Sequence, residues 1–228
     1  MPKSIFSHLF PPRCLVCGAY SIDIRLGVCA QCVSRIRPIP GPVCTVCGDP
    51  AGTEGVCLRC LTAPPPFDRM MSAFIFEGPI KDIIHSFKYA DATYYKKYLA
   101  QVLFEMIKAQ GQPCDVVTFV PLHWTRMISR GYNQAALIAT ELAGLLGLTL
   151  SYSALKKTRG TPPQVGLRKQ ERKMNIRGAF LASGVQDKAV LVVDDVVTTG
   201  QTAREVSKAL KKTGASYVLF ASVGRIVQ

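Results

Sequence analysis

The stretch AVLVVDDVVTTGQT, Ala189 to Thr202, restricts the fold more than any other part of this 228-residue chain. Val190 to Val193 is an uninterrupted apolar run rich in β-branched residues, which predicts a central parallel strand covered on both faces. Asp194 and Asp195 are expected to end it. Adjacent carboxylates at a strand's carboxyl end repel each other and lose hydration, so they persist where water, hydroxyls or a metal complex satisfies them. Thr198, Thr199, Gly200, Gln201 and Thr202 then form a small, hydroxyl-rich turn, and Ala203, Val206 and Leu210 follow at helical spacing to a capping Gly214. The turn thus opens a helix, where unpaired N–H groups, the positive end of the helix dipole and a glycine admitting close approach suit a phosphate. Carboxylates suited to a sugar diol stand beside amides suited to a phosphate. The plain alternative is a strand, turn and helix whose acidic pair only caps nearby amides.

Strand, acidic pair, two further residues and TTGQT together resemble the ribose 5-phosphate signature of type I phosphoribosyltransferases, which bind phosphoribosyl pyrophosphate. The resemblance implies that Asp194 and Asp195 hold the ribose hydroxyls, that Thr198 to Thr202 wrap the 5-phosphate, and that Mg2+ accompanies the ligand. It also implies an α/β fold, a parallel sheet flanked by helices.

A formal net charge of +13 predicts a nucleic-acid or phosphate partner. The opening residues MPKSIFSHLFPPRC lack the unbroken apolar core of a secretory signal, and no segment reaches bilayer-spanning length, so a cytoplasmic location is expected. Eight of the nine cysteines fall in CxxC pairs: Cys14 and Cys17, Cys29 and Cys32, Cys44 and Cys47, Cys57 and Cys60. In an intracellular chain that spacing points to metal rather than to disulfides or redox motifs. Each pair is a knuckle able to give two thiolates to one ion, and consecutive pairs predict two structural four-thiolate zinc sites, Cys14 to Cys32 and Cys44 to Cys60, in a double zinc ribbon. A crossed or single-site arrangement stays open. Gly18 and Gly48 occupy equivalent places after the first knuckle of each unit, where a positive φ lets amides point at sulfur. Cys114 reads as a small buried side chain.

Residues 1–62 are therefore assigned to the ribbon, the proline-rich 63–68 to a stiff linker, and 69–228 to the transferase-like domain. In the latter, Arg69 to Glu77 reads as a strand, Ile80, Ile83, Ile84 and Phe87 as the stripe of a helix ending at Lys88, and Tyr95, Leu99, Val102, Leu103 and Met106 as a second helix closing before Gly111. Asp115 to Val120 is the next strand, followed by an irregular loop through Pro121, Leu122, His123 and Trp124. A helix then starts near Asn133 with the stripe Ile138, Leu142 and Leu145. A strand end, loop and helix start make a second anion site, to which Arg126 and Arg130 add charge. The resemblance makes this the pyrophosphate loop, with Leu122, His123, Arg126 and Arg130; His123 also fits a structural hydrogen bonder. From Lys156 to Arg177 the chain carries eight basic residues and one acid, with glycines and prolines that favour a mobile loop, or on a plainer reading a solvated hairpin. In type I enzymes a loop in this place closes over the substrate, which assigns Arg159, Gln164, Arg172 and Asn175 to it. Ser216 to Val223 reads as a last strand.

With PLHWTRMISRGYNQ, RGTPPQVGLRKQERKMNIRGAF and VLVVDDVVTTGQT in this order behind four CxxC pairs, the whole chain resembles the ComF family of competence proteins. The resemblance implies a role in bringing single-stranded DNA into the bacterial cytoplasm, with phosphoribosyl pyrophosphate and single-stranded DNA as ligands and membrane-associated DNA-uptake machinery as a protein partner. No oligomeric state follows from it. Tyr89, Tyr94, Tyr95 and Tyr132 lie near basic residues and offer base-stacking or packing surfaces. The second reading is an active phosphoribosyltransferase with an unnamed acceptor, and the third a regulator of duplex operators, for which no helix-turn-helix is evident. A glutamine amidotransferase is not expected, because residues 1–62 are occupied by zinc ligands.

Overall fold

The computed structural model describes residues 13–21, 24, 25, 27–89, 92–111, 113–158 and 176–227. Each ribbon unit is a pair of tight knuckles: the first holds strands β1 (Ile24–Arg25) and β2 (Val28–Cys29) and helix α1 (Ala30–Ser34), and the second ends in helix α2 (Leu58–Thr62). Gly18 and Gly48 take φ of 73° and 66°, as the knuckle geometry requires.

Behind the ribbon, β3 (Arg69–Ile75), β4 (Val116–Phe119), β5 (Thr149–Leu150), β8 (Ala189–Val197) and β9 (Tyr217–Arg225) form one parallel sheet in the order β3-β9-β8-β4-β5; between β5 and β8 in the chain, β6 (Leu155–Lys157) and β7 (Phe180–Ala182) pair antiparallel. Successive side chains of a strand point to opposite faces, and the central strands show both covered. Leu191, Val193, Leu219 and Ala221 pack on one side with helices α3 (Gly78–Tyr89), α4 (Lys96–Gln110) and α6 (Gln134–Leu146). Val190, Val192, Val218 and Phe220 pack on the other with α7 (Gln201–Lys212). The α3 stripe Ile80, Ile83, Ile84 and Phe87 is fully buried, as its period predicts.

The ribbon units straddle the β3 edge, one on each face. Cys14, Cys29 and Cys32 join the α3/α4 core, whereas Cys44, Cys47 and Cys60 join the α7 core. Met70 N–H donates to Val46 O at 2.7 Å and Ile75 N–H to Arg37 O at 2.9 Å, so backbone groups that an edge strand leaves open are taken up by the ribbon. A Cβ at Gly48 would stand 2.5 Å from Met70 O, which ties that glycine to the close approach of knuckle and strand.

Five expectations change. Strand β8 runs through the acidic pair to Val197, because β9 pairs with it throughout (Asp194 with Ser222, Val197 with Arg225) and the ladder outweighs the polar side chains. The loop expected after Val120 contains the short helix α5 (Trp124–Arg130), capped by His123 and closed by Gly131 at φ 74°. Leu145 is exposed rather than part of the α6 stripe. Lys156 and Lys157 belong to strand β6 instead of a loop, and Cys114 is half-buried. Arg159, Gln164, Arg172 and Asn175 lie outside the described residues.

Candidate functional site

In a parallel sheet the ligand crevice opens at the carboxyl ends of strands where connections leave in opposite directions. Here that point lies between β4 and β8: the chain leaves β4 for β5 on one side, while β8 is flanked by β9 on the other. A cleft of about 970 Å3 opens there. Its lining includes Asp194 and Asp195 from β8, all of Thr198 to Thr202 from the turn after β8 and the start of α7, Leu122, Arg126, Ser129 and Arg130 after β4, Lys88 and Tyr89 from α3, and Lys157 from β6. The predicted residues of both anion sites are thus brought together, except His123. That histidine accepts from Thr125 N–H as the cap of α5 and meets Thr125 Oγ1 at 2.9 Å, the structural role.

Gly200 sits at φ 71° and accepts from Arg204 N–H at 3.0 Å, the first bond of α7. The amides of Gln201, Thr202 and Ala203 precede that bond and have no intrahelical acceptor, and all three residues line the cleft, the arrangement of a helix N-terminus able to receive an anion. Beside them Asp195 N–H donates to Asp194 Oδ1 at 2.9 Å. Burial, and then the neighbouring Asp195 carboxylate, push Asp194 up to about 8. Lys88 reaches Asp195 Oδ2 at 2.9 Å across 107 positions of sequence. Burial, then Arg126, bring Lys157 down to about 8. Burial, then Arg130, lower Arg126. Four cationic side chains therefore face two carboxylates, one of them shifted toward its protonated form, and the cleft is electropositive. Sequence reading missed Lys88 and Lys157 as site residues: the first looked like a helix end and the second like part of a solvated run.

The eight ribbon cysteines form two clusters, Cys14, Cys17, Cys29 and Cys32, and Cys44, Cys47, Cys57 and Cys60, with sulfurs within 4.8 Å of one another. A tetrahedron with metal–sulfur arms of ~2.3 Å has edges of about 3.8 Å. Cys14 and Cys32 stand 3.8 Å apart, Cys17 and Cys29 3.9 Å, and Cys47 and Cys57 3.8 Å. These are metal-site spacings, far longer than a disulfide of ~2.05 Å. Burial raises the Cys14 and Cys44 thiols, but nearby backbone amides outweigh it and bring both to about 6. Cys32 and Cys60 move up, through burial and then neighbouring thiols. Four thiols this close do not ionise together without a cation, which a zinc ion would supply. The clusters fit two structural zinc ions with no open position.

Around the second cluster, Arg59 donates to Cys47 Sγ at 3.4 Å and pairs with Asp49, which also pairs with the buried Arg225 at the end of β9. Removing one partner of such a pair strands a charge in the interior. Asp49→Ala is expected to destabilise the protein by roughly 3 kcal/mol in urea unfolding. Glu77→Ala, which breaks the exposed Arg37–Glu77 pair, is expected to leave stability nearly unchanged.

A parallel sheet with an acidic pair and an amide cradle at its switch point, fronted by two four-cysteine clusters, defines a phosphoribosyltransferase-fold protein with a double zinc ribbon. Residues 5–61 match the family model of the double zinc ribbon domain, and residues 129–225 that of the phosphoribosyl transferase domain. The chain is 33% identical over 215 residues to DNA utilization protein YhgH of Salmonella typhi, covering 91% of this chain and 94% of that one. It is 29% identical over 221 residues to competence protein F of Haemophilus influenzae, covering 92% and 96%. The chain belongs to the ComF family of competence proteins. Among solved structures it is similar to glutamine phosphoribosylpyrophosphate amidotransferase from B. subtilis (24% identity, 56% of this chain and 25% of that chain, TM-score 0.40). It is also similar to purine phosphoribosyltransferase from Pyrococcus horikoshii (20% identity, 58% and 83%, TM-score 0.37).

Proposed function

We propose that this protein binds phosphoribosyl pyrophosphate with Mg2+ in the cleft and single-stranded DNA on the basic surface around it, acting in the cytoplasm in DNA uptake. Residues 63–68 are taken as the junction between the ribbon and the transferase-like domain. The observation that carries the reading is the placement of Asp194 and Asp195 next to the α7 amides, in one cleft with Lys88, Arg126, Arg130 and Lys157. A phosphate on the amides leaves the ribose hydroxyls beside the carboxylates and the pyrophosphate on the arginine side.

Asp194 and Asp195 present hard oxygen donors, which fit a Mg2+ ion held jointly by one or two carboxylates and ligand phosphates. Bound there, Mg2+ would neutralise pyrophosphate charge. Lys88 already occupies Asp195, so ligand entry requires that pair to loosen. The names of the relatives, DNA utilization protein and competence protein, support the DNA-uptake role.

Calorimetric titration with phosphoribosyl pyrophosphate and Mg2+ tests the cleft. Saturable binding is expected in the wild type, and Asp195→Asn, which removes one ribose-side charge and frees Lys88, is expected to weaken it at least tenfold. No heat in the wild type would overturn the assignment. Steady release of pyrophosphate with ammonia or a purine base as acceptor would instead make the protein a transferase. DNA affinity should fall steeply with salt and vary little with sequence; contact with ~4 phosphates predicts a slope of log K against log salt of about −3.

A further inference from the structure

Helix α5 divides its residues between two environments. Arg126, Ser129 and Arg130 line the cleft, while Trp124, Met127 and Ile128 face solvent with 66%, 45% and 74% exposure. None of its residues is buried, so the exposed indole is not there to build the core. Next to it, Tyr89 on α3 is 63% exposed and carries Arg130 over its ring, the guanidinium carbon 5.0 Å from the centroid and a guanidinium N–H donating to the phenol oxygen at 3.2 Å.

The helix sequence WTRMISR holds two arginines and no acid. Among the described residues neither arginine takes part in an ion pair; Arg130 donates instead to Gln134 and Tyr89. The two guanidinium groups also repel each other, which an anion on this rim would relieve. Of the four tyrosines with stacking potential, Tyr95 is buried and bonded to Leu15 O, Tyr132 donates to Phe87 O, and Tyr94 is exposed but does not line the cleft, which leaves Tyr89 on the cleft wall beside the helix that carries the exposed Trp124. Uncompensated guanidinium groups beside an exposed indole suit a polymer that presents phosphates and aromatic faces in alternation. A neutral apolar protein surface would leave the arginines without partners.

We propose that the solvent face of α5 is a base-stacking platform for single-stranded DNA, with Trp124 as its main contact and Arg126 and Arg130 holding backbone phosphates along the cleft rim. This rests on the DNA-binding reading above and gives it a location. It also makes α5 a shared wall: Arg126 and Arg130 on the rim serve both anions, the cleft ligand and the DNA backbone, while the apolar side faces the bases.

Trp124 is the only tryptophan in the chain, so tryptophan emission, excited selectively beyond the tyrosine absorption, reports on this position alone. The full-length zinc-loaded protein is titrated with oligo(dT) carrying a fluorescent label at one end, reading label anisotropy and, with unlabelled oligonucleotide, tryptophan emission. Quenching of Trp124 along the same isotherm as the anisotropy is expected. One base stack contributes enough that Trp124→Ala should lose about 5- to 100-fold in affinity, with Trp124→Phe recovering most of it. Since Trp124 is exposed, both variants should keep wild-type far-ultraviolet dichroism and zinc content. Absence of any anisotropy change in the wild type would overturn DNA binding altogether. Tight binding with unquenched emission and wild-type affinity in Trp124→Ala would overturn the platform while leaving DNA binding intact.

Discussion

Asp194→Asn is expected to make the protein more stable above neutral pH while removing its grip on a phosphorylated sugar. Asp194 ionises near 4 in an unfolded chain and at about 8 in the folded one, driven up by burial and by the Asp195 carboxylate beside it. Between those values the folded state holds a proton that the unfolded state lacks. Stability therefore falls as pH rises through this window, by up to ~1.4 kcal/mol per pH unit, and the full penalty is present above about pH 8. Asparagine cannot ionise, and its side-chain oxygen can keep the bond from Asp195 N–H. The variant should lose the slope and gain on the order of 3 kcal/mol at pH 8.5, with little change at pH 4.5, in paired urea titrations. Ligand capture carries the opposite sign: if the ionised carboxylate receives the ribose hydroxyls or Mg2+, wild-type affinity should climb between pH 6 and 9, and the variant should bind at least a hundredfold more weakly. A variant that binds as tightly as wild type would remove Asp194 from the site. Such a trade of stability for binding is what a carboxylate held against its own solvation implies.

The acidic pair and its cradle were legible in the sequence because every part is local: an apolar run, two carboxylates and a small-residue turn lie within fourteen positions. The α3 stripe was legible for a related reason, since burial of Ile80, Ile83, Ile84 and Phe87 imposes the helical period directly. The zinc clusters were legible because a knuckle fixes its ligand spacing. Helix α5 was not: periodicity registers a helix through its buried face, and this one buries no residue. Its local signals were the His123 cap and Gly131 stop, which a loop also accommodates. The Lys88–Asp195 pair and the approach of Lys157 to the cleft depend on elements distant in sequence, so no spacing encodes them. The extension of β8 past the acidic pair is likewise a property of its pairing with β9 rather than of its own residues.

The straddling ribbon leads to the second large effect. Binding of a structural zinc ion contributes roughly 10–16 kcal/mol, as much as or more than the ~5–15 kcal/mol that separates a typical domain from unfolding. The second unit shares a core with Val192, Val197 and Ala203, and Met70 of the same core donates its N–H to Val46 O at 2.7 Å. A cavity of about 560 Å3 lies between Cys47 and Arg59 of this unit and the far side of the Thr198–Gly200 turn. The first unit packs on the opposite face, where Tyr95 O–H donates to Leu15 O at 2.6 Å. Cys60→Ala and Cys32→Ala should therefore each lose one zinc equivalent and at least ~10 °C in Tm, yet differ at the cleft. In Cys60→Ala the amides from Thr199 to Thr202 should exchange hydrogen at least tenfold faster, and affinity for phosphoribosyl pyrophosphate should fall by a similar factor. In Cys32→Ala exchange at those amides should stay within about threefold of wild type, because the first unit packs with α3 and α4 on the sheet face opposite the α7 core. Equal exchange at those amides in the two variants would show that the ribbon holds the chain together without holding the cradle.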